Sequence, residues 1–222
     1  MNVRPMILVS AAVIGVMLVA SAWAYTSLPA DAEVPIHWGP DGQPDGYADK
    51  ALGLFLLPGI TFLVAMLLAV IPRIEPRRAN LERSSKAYAA TWIGVMLLFG
   101  GLHLLAVSVA MGAELDLTRI VLIGTGVLFI VIGNYLPKVR PNYMLGIRTP
   151  WTLTSDRSWA RTHRLGGKLF VLEGVILVAA GLLGIGGAVQ VGLIIAGVAV
   201  IVGVAFGYSY LVWREDPERR TT

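Results

Sequence analysis

Apolar residues gather along this chain in six blocks: Met6 to Tyr25, Ala51 to Ile71, Tyr88 to Met111, Leu117 to Leu136, Gly166 to Ile185 and Val189 to Val212. Each block is about as long as a helix that crosses a bilayer, which takes roughly 20 residues. In hydrocarbon the spanning backbone must satisfy its own hydrogen bonds, so such runs read as helices. The pattern therefore predicts an all-α, polytopic integral membrane protein built as a six-helix transmembrane bundle. Glycines dilute the fifth block, and Arg119 opens the fourth. Ala22-Trp23-Ala24 resembles a signal-peptidase site, but Trp23 and Tyr25 suit the interfacial end of a retained first span.

Charge segregates between the blocks. Of the 18 Lys and Arg residues, all but Lys50 and Arg119 fall before the first span, after the second, after the fourth or after the sixth. Positive charge marks the cytoplasmic side, so the expected topology has both termini inside and the loop after the first span outside. Basic residues placed this way suit anionic lipid, making the bilayer the first partner. No nucleic-acid reader motif is present, so direct nucleic-acid binding is not expected. Composition agrees with a membrane protein, at 56% hydrophobic and 14% charged residues. The absence of cysteine excludes disulfides and thiolate chemistry. Catalytic signatures such as Gly-x-Ser-x-Gly, His-Glu-x-x-His and a phosphate loop are missing, so neither enzymatic activity nor a cofactor is expected.

The external loop from Thr26 to Lys50 carries four prolines and three glycines, which exclude a long helix. Val34 to Trp38 is expected to be extended, with tight turns at Asp41-Gly42 and Asp45-Gly46. Asp41, Gln43, Asp45, Gly46 and Asp49 fall at calcium-loop spacing, but Leu52 stands where the bidentate glutamate belongs, so no metal site is expected. His37 is expected to bond within its own turn. Exposed candidates for contact with a ligand are His37, Trp38, Asp41, Asp45, Tyr47 and Asp49.

The cytoplasmic connection from Pro137 to Lys168 is non-helical around Pro141 and Thr149-Pro150, because a residue before proline avoids the helical region. Thr154 or Ser155 is placed to cap a short helix from Asp156 to Arg164, on which Trp159 and His163 share a face. Such a basic, tryptophan-bearing helix suits the headgroup plane, with Trp151 as a second anchor, or a docking surface for a cytoplasmic partner. Within the membrane the polar candidates are His103, Asn134 and Glu173, with Asn134 and Arg148 as expected partners of Glu173. Glycines in the third, fourth and fifth spans permit close helix packing.

Two segments carry a resemblance. Leu28-Pro29, Pro35-Ile36-His37-Trp38, Gly42, Pro44-Asp45-Gly46-Tyr47 and Lys50 resemble the DUF1648 module of bacterial membrane proteins. Asn142 to Leu153, with Trp159, Thr162-His163-Arg164 and Gly166-Gly167-Lys168, resembles the SdpI family signature. The resemblance implies a module over 1–72 and a second over 73–222. It also implies a role like that of the immunity factor that protects a cell from its own SDP peptide toxin and holds an ArsR-type repressor at the membrane. Cytoplasmic docking would then fall to Asn142, Gly146, Arg148, Thr149, Pro150, Trp151, Trp159, Arg161, His163 and Arg164. The competing reading is a transporter or envelope-stress protein using Glu173 and His103.

Overall fold

The computed structural model describes residues 1–39, 43–185 and 187–219. Six helices are long and apolar enough to cross a membrane: α1 (Arg4–Ser27), α2 (Lys50–Ile74), α4 (Ser85–Ala110), α5 (Leu117–Tyr135, continued by a 3-10 turn over Leu136–Lys138), α7 (Asp156–Leu182) and α8 (Ala188–Arg214). Short helices α3 (Arg78–Arg83) and α6 (Pro150–Thr154) lie in the basic connections, and strands β1 (Glu33–Trp38) and β2 (Pro44–Asp49) form an antiparallel hairpin. Helices α1, α2 and α4 pack together, α5, α7 and α8 pack together, and α4 with α5 joins the two groups. The hairpin occupies one end of the bundle. The opposite end holds the N-terminus, whose amine pairs with Glu82 at 2.6 Å.

The closest helix pair is α5 with α7, and its register is set by glycines seven residues apart. A Cβ on Gly126 would stand 2.6 Å from the Gly174 carbonyl oxygen, and one on Gly133 would stand 2.7 Å from that of Gly167. Contact this intimate between backbones is what small residues permit inside a bilayer, where apolar burial alone does not favour helix over lipid. Arg119 then finds its place: its guanidinium donates to the Leu182 carbonyl at 2.7 Å, neutralising the negative end of α7, while Asp116 caps α5 by accepting from the Arg119 amide at 3.0 Å.

Two local expectations are corrected. The short helix over Asp156–Arg164 and the span from Gly166 are one continuous helix of 27 residues, capped by Ser155, which accepts from the Ser158 amide. Gly166 and Gly167 do not break it, because they are buried against Ile147 and Pro137 and favourable packing outweighs their weak helix propensity. Asp45-Gly46 is not a turn but lies within β2, where the register slips around His37. A Cβ on Gly46 would approach that of His37 to 3.0 Å, so the slip passes His37 across a residue without a side chain. Asp41 and Gly42 lie outside the described residues.

Candidate functional site

The hairpin is seated through the buried part of β1. Val34 on β1 belongs to one buried cluster with Ala24, Leu54 and Val107, which come from α1, α2 and α4. Beside it Asp49 caps α2, accepting from the amides of Ala51 and Leu52 at 3.0 and 3.1 Å. Lys50 lies over the Tyr25 ring at 4.4 Å and donates to the Leu28 carbonyl. Across the hairpin His37 Nδ1 meets Asp45 Oδ1 at 2.5 Å, with both side chains exposed. Of the external candidates, His37, Asp45, Tyr47 and Asp49 are exposed and Trp38 is half-buried. Asp45 and Asp49 are engaged locally, and no group of three potential metal ligands occurs among the described residues.

Beneath the hairpin, Trp38 borders two adjoining cavities of about 500 and 260 Å³ that both also reach Thr118 on α5 and Gln190 on α8. Neither Thr118 nor Gln190 stands out in sequence, because each is an uncharged polar residue at the start of an apolar helix.

Deeper in the bundle, polar side chains tie the first three spans. His103 is fully enclosed, with Nε2 2.9 Å from Ser21 Oγ and 3.2 Å from the Met17 carbonyl oxygen, and the same Ser21 hydroxyl donates to the Leu54 carbonyl at 2.7 Å. Its cross-helix partner is therefore Ser21, whereas Ser108 bonds its own helix at the Leu104 carbonyl. Lower down, the Trp92 indole donates to Ser10 at 2.8 Å. Glu173 is buried and faces α8, its carboxylate filling the space left by the missing side chain of Gly197. Its expected partners are elsewhere: Asn134 is exposed, and Arg148 donates to the Tyr143 carbonyl. Glu173 Oε1 has no hydrogen-bond partner among the described residues.

The basic end is closed by a folded cap rather than an open docking loop. Asn142, fully buried, accepts from the amides of Met144 and Leu145 and donates to the carbonyls of Arg140 and Leu145, so its side chain builds the turn. Gly146 follows with φ of +108°, a conformation that disfavours a Cβ, and a Cβ there would collide with His163 Nε2. That nitrogen accepts from the Ile147 amide at 3.0 Å, which leaves Nδ1 to carry the proton to the Trp159 carbonyl at 2.9 Å. Trp159 stacks on the same imidazole at 4.0 Å, and its indole donates to Val139. Thr149 caps α6 and also donates to Ser209 on α8.

Four expected docking residues, Asn142, Thr149, Trp159 and His163, are thus buried and hold the cap together, while Arg148, Pro150, Arg161 and Arg164 are exposed. Trp151 packs on Phe206 and Tyr210 of α8. Residues not singled out from sequence complete the cap. Glu75 accepts from the amides of Arg77 and Tyr143, Asn80 donates to the Pro141 carbonyl, and Ser155 donates to Asp216 at 2.5 Å. That hydroxyl, with some help from the Glu218 amide and from Arg157 and Arg219, holds the Asp216 carboxyl below its usual range. A cavity of about 510 Å³ opens here between Arg77, Arg83, Arg140 and Arg157, with Asp156 and Asp216 on its wall.

Comparison with known proteins divides along these two ends. Residues 12–62, which contain the hairpin, match a domain of unknown function, DUF1648, and residues 138–209, which contain the cap and most of α7 and α8, match the SdpI/YfhL protein family. The chain is thus similar to the SdpI family over its C-terminal spans. The chain is also 25% identical over 172 residues to "Immunity protein SdpI" of Bacillus subtilis (strain 168), covering 77% of this chain and 78% of that one. No solved structure matches it. Six spans and this similarity make the chain a multi-pass bacterial membrane protein.

Proposed function

We propose that this protein protects the bacterial membrane in which it sits against a membrane-active peptide, received at the hairpin end of the bundle. The observation that carries the reading is the hairpin itself, a structured cap seated through the buried cluster that Val34 shares with three spans and presenting His37, Asp45 and Tyr47 to solvent. The Bacillus relative is named an immunity protein, which supports a protective role. The charge split supports an outward orientation of this end, where a peptide would arrive. Half of the chain's 14 acidic residues belong to two of the three connections at this end, an arrangement that attracts cationic ligands.

The division of labour follows the two modules, with 1–72 receiving the peptide and 73–222 carrying the cytoplasmic cap. Recruitment of an ArsR-type repressor would then use the exposed Arg148, Arg161 and Arg164 and the neighbouring four-arginine cavity, while the buried cap residues hold those side chains in position. Such recruitment requires that occupancy at one end alter the other, a coupling between distinct sites. A transport role has less support, because His103 bonds to α1 while Glu173 faces α8, so the two do not share a pathway. Expression of the chain in a strain lacking immunity factors, followed by challenge with SDP peptide or with the secreted peptide fraction of the native host, tests the proposal. Survival above the empty-vector strain supports it, and equal killing under both challenges refutes it.

A further inference from the structure

The pair of cavities beneath the hairpin combines features that specify a ligand. Gln190 is only 3% exposed, and its amide is oriented by donation from Nε2 to the Ile185 carbonyl at 2.6 Å. That bond leaves Oε1 as an acceptor, and it is buried without a partner among the described residues. Thr118 Oγ1 is likewise buried and without one. Both side chains border both cavities. A buried acceptor with no donor costs roughly 1–3 kcal/mol relative to a satisfied one, so the cleft favours an occupant that brings N–H groups.

The remaining lining narrows the class. The smaller cavity has an apolar floor from Ile36, Leu117, Val121 and Ile194, and the larger opens past Glu114 and Asp116. Asp116 already caps α5, whereas Glu114 is exposed at the mouth. An apolar floor, two buried acceptors and an acidic rim match a peptide with an apolar segment and a cationic end. Lipid chains offer no N–H donor, and an anionic headgroup would meet like charge.

We propose that this cleft, between β1 and the first turns of α5 and α8, binds the apolar segment of a cationic peptide, with Gln190 Oε1 and Thr118 Oγ1 accepting backbone N–H bonds and Trp38 covering the site. The inference rests on the protective role proposed above and locates its receptor site. It also explains why the hairpin is anchored so firmly: Val34 and Asp49 fix β1 and β2 on α2, which sets Trp38 over the ends of α5 and α8.

The protein in nanodiscs would be titrated with a tryptophan-free synthetic peptide, a leucine-rich segment ending in lysines, and followed by Trp38 emission against Trp38→Phe. Saturable binding is expected, weakened about five- to tenfold by Thr118→Val or Gln190→Leu, the range that one net hydrogen bond supplies. Backbone N-methylation of the peptide should produce the same loss and remove the sensitivity to Gln190→Leu. Thr118→Val preserves shape, so a folding defect in Gln190→Leu would not obscure the result. A signal no greater than with empty nanodiscs, or binding unchanged in Thr118→Val, overturns the assignment. Cell survival separates the two proposals. Thr118→Val and Gln190→Leu cells that survive like the parent would leave protection standing and sink the cleft. Cleft-dependent binding without protection would do the reverse.

Discussion

Ser21 Oγ donates to the carbonyl of Leu54 at 2.7 Å, and Leu54 lies four residues before Pro58. A helical carbonyl normally accepts from the amide four residues on, but proline has none. The second proline inside α2 repeats the arrangement: Pro72 frees the Leu68 carbonyl, and the Tyr88 hydroxyl of α4 reaches it at 2.5 Å. Each freed acceptor is thus satisfied by a neighbouring helix, as the bilayer interior demands. Ser21→Ala and Tyr88→Phe should each destabilise the protein by about 1–2 kcal/mol. Ser21→Ala should do less harm in a Pro58→Ala background, where the amide is restored. Thermal unfolding in detergent across the four-variant cycle checks this, and strict additivity would deny the link.

The glycine seam predicts a sharp contrast in tolerance. Gly126→Ala places a methyl against the Gly174 carbonyl, and Gly174→Ala does so against that of Gly126, whereas a Cβ on Gly15 meets nothing within 4 Å. The seam variants should lose about 1–3 kcal/mol through overpacking, while Gly15→Ala should be neutral or slightly stabilising. Folded yield after detergent extraction distinguishes these outcomes.

Glu173 offers a graded test of its environment. Glu173→Gln keeps the shape that fills the gap at Gly197, while Glu173→Lys forces a longer, cationic side chain into it. The lysine variant should lose most of its folded protein, and the glutamine variant should retain most. Wild-type yield of both would mean that the side chain escapes to solvent.

The six spans, the extended segment at β1 and the helix cap at Ser155 were legible in sequence because each depends on local composition or spacing, whereas His37 bonds Asp45 on the opposite strand rather than its own turn. What escaped was the pairing between helices, which depends on how each helix is rotated. The short helix over 156–164 and the span from Gly166 read as separate elements, yet Gly166 and Gly167 join them and pack closely on Ile147 and Gly133. Trp159 and His163 were correctly placed on one face, but that face points inward. The prolines at 58 and 72 carried a usable signal, since each announces a carbonyl four residues earlier that needs a donor from elsewhere.

At the basic end, burial separates structural residues from presented ones. His163→Ala, Trp159→Ala and Gly146→Ala should open the cap, since each removes or displaces a bond that holds 139–149 in place, and limited proteolysis should cut there faster. Arg161→Ala and Arg164→Ala should leave the cleavage rate at the parent level. Equal protection of all five variants would contradict the cap.

Acid should loosen the contact between the start of α7 and the chain just after α8. The Ser155 bond keeps Asp216 ionised below the usual carboxylate range, so its stabilisation is present at neutral pH and fades as pH falls through the acid region. The stability difference between the parent and Asp216→Asn should therefore be largest near neutrality and shrink towards pH 3. A difference that grows with acidification would show that the protonated form is the one held.

The most direct test of the protective role compares two sets of exposed residues in cells lacking other immunity factors, under challenge with SDP peptide or the native host's secreted peptides. Changing His37, Trp38 and Asp45 together should abolish survival at unchanged membrane levels, whereas changing Arg148, Arg161 and Arg164 should preserve survival and lose only repressor recruitment. Full survival of the hairpin set, or loss of survival confined to the arginine set, would contradict reception of the peptide at the hairpin end.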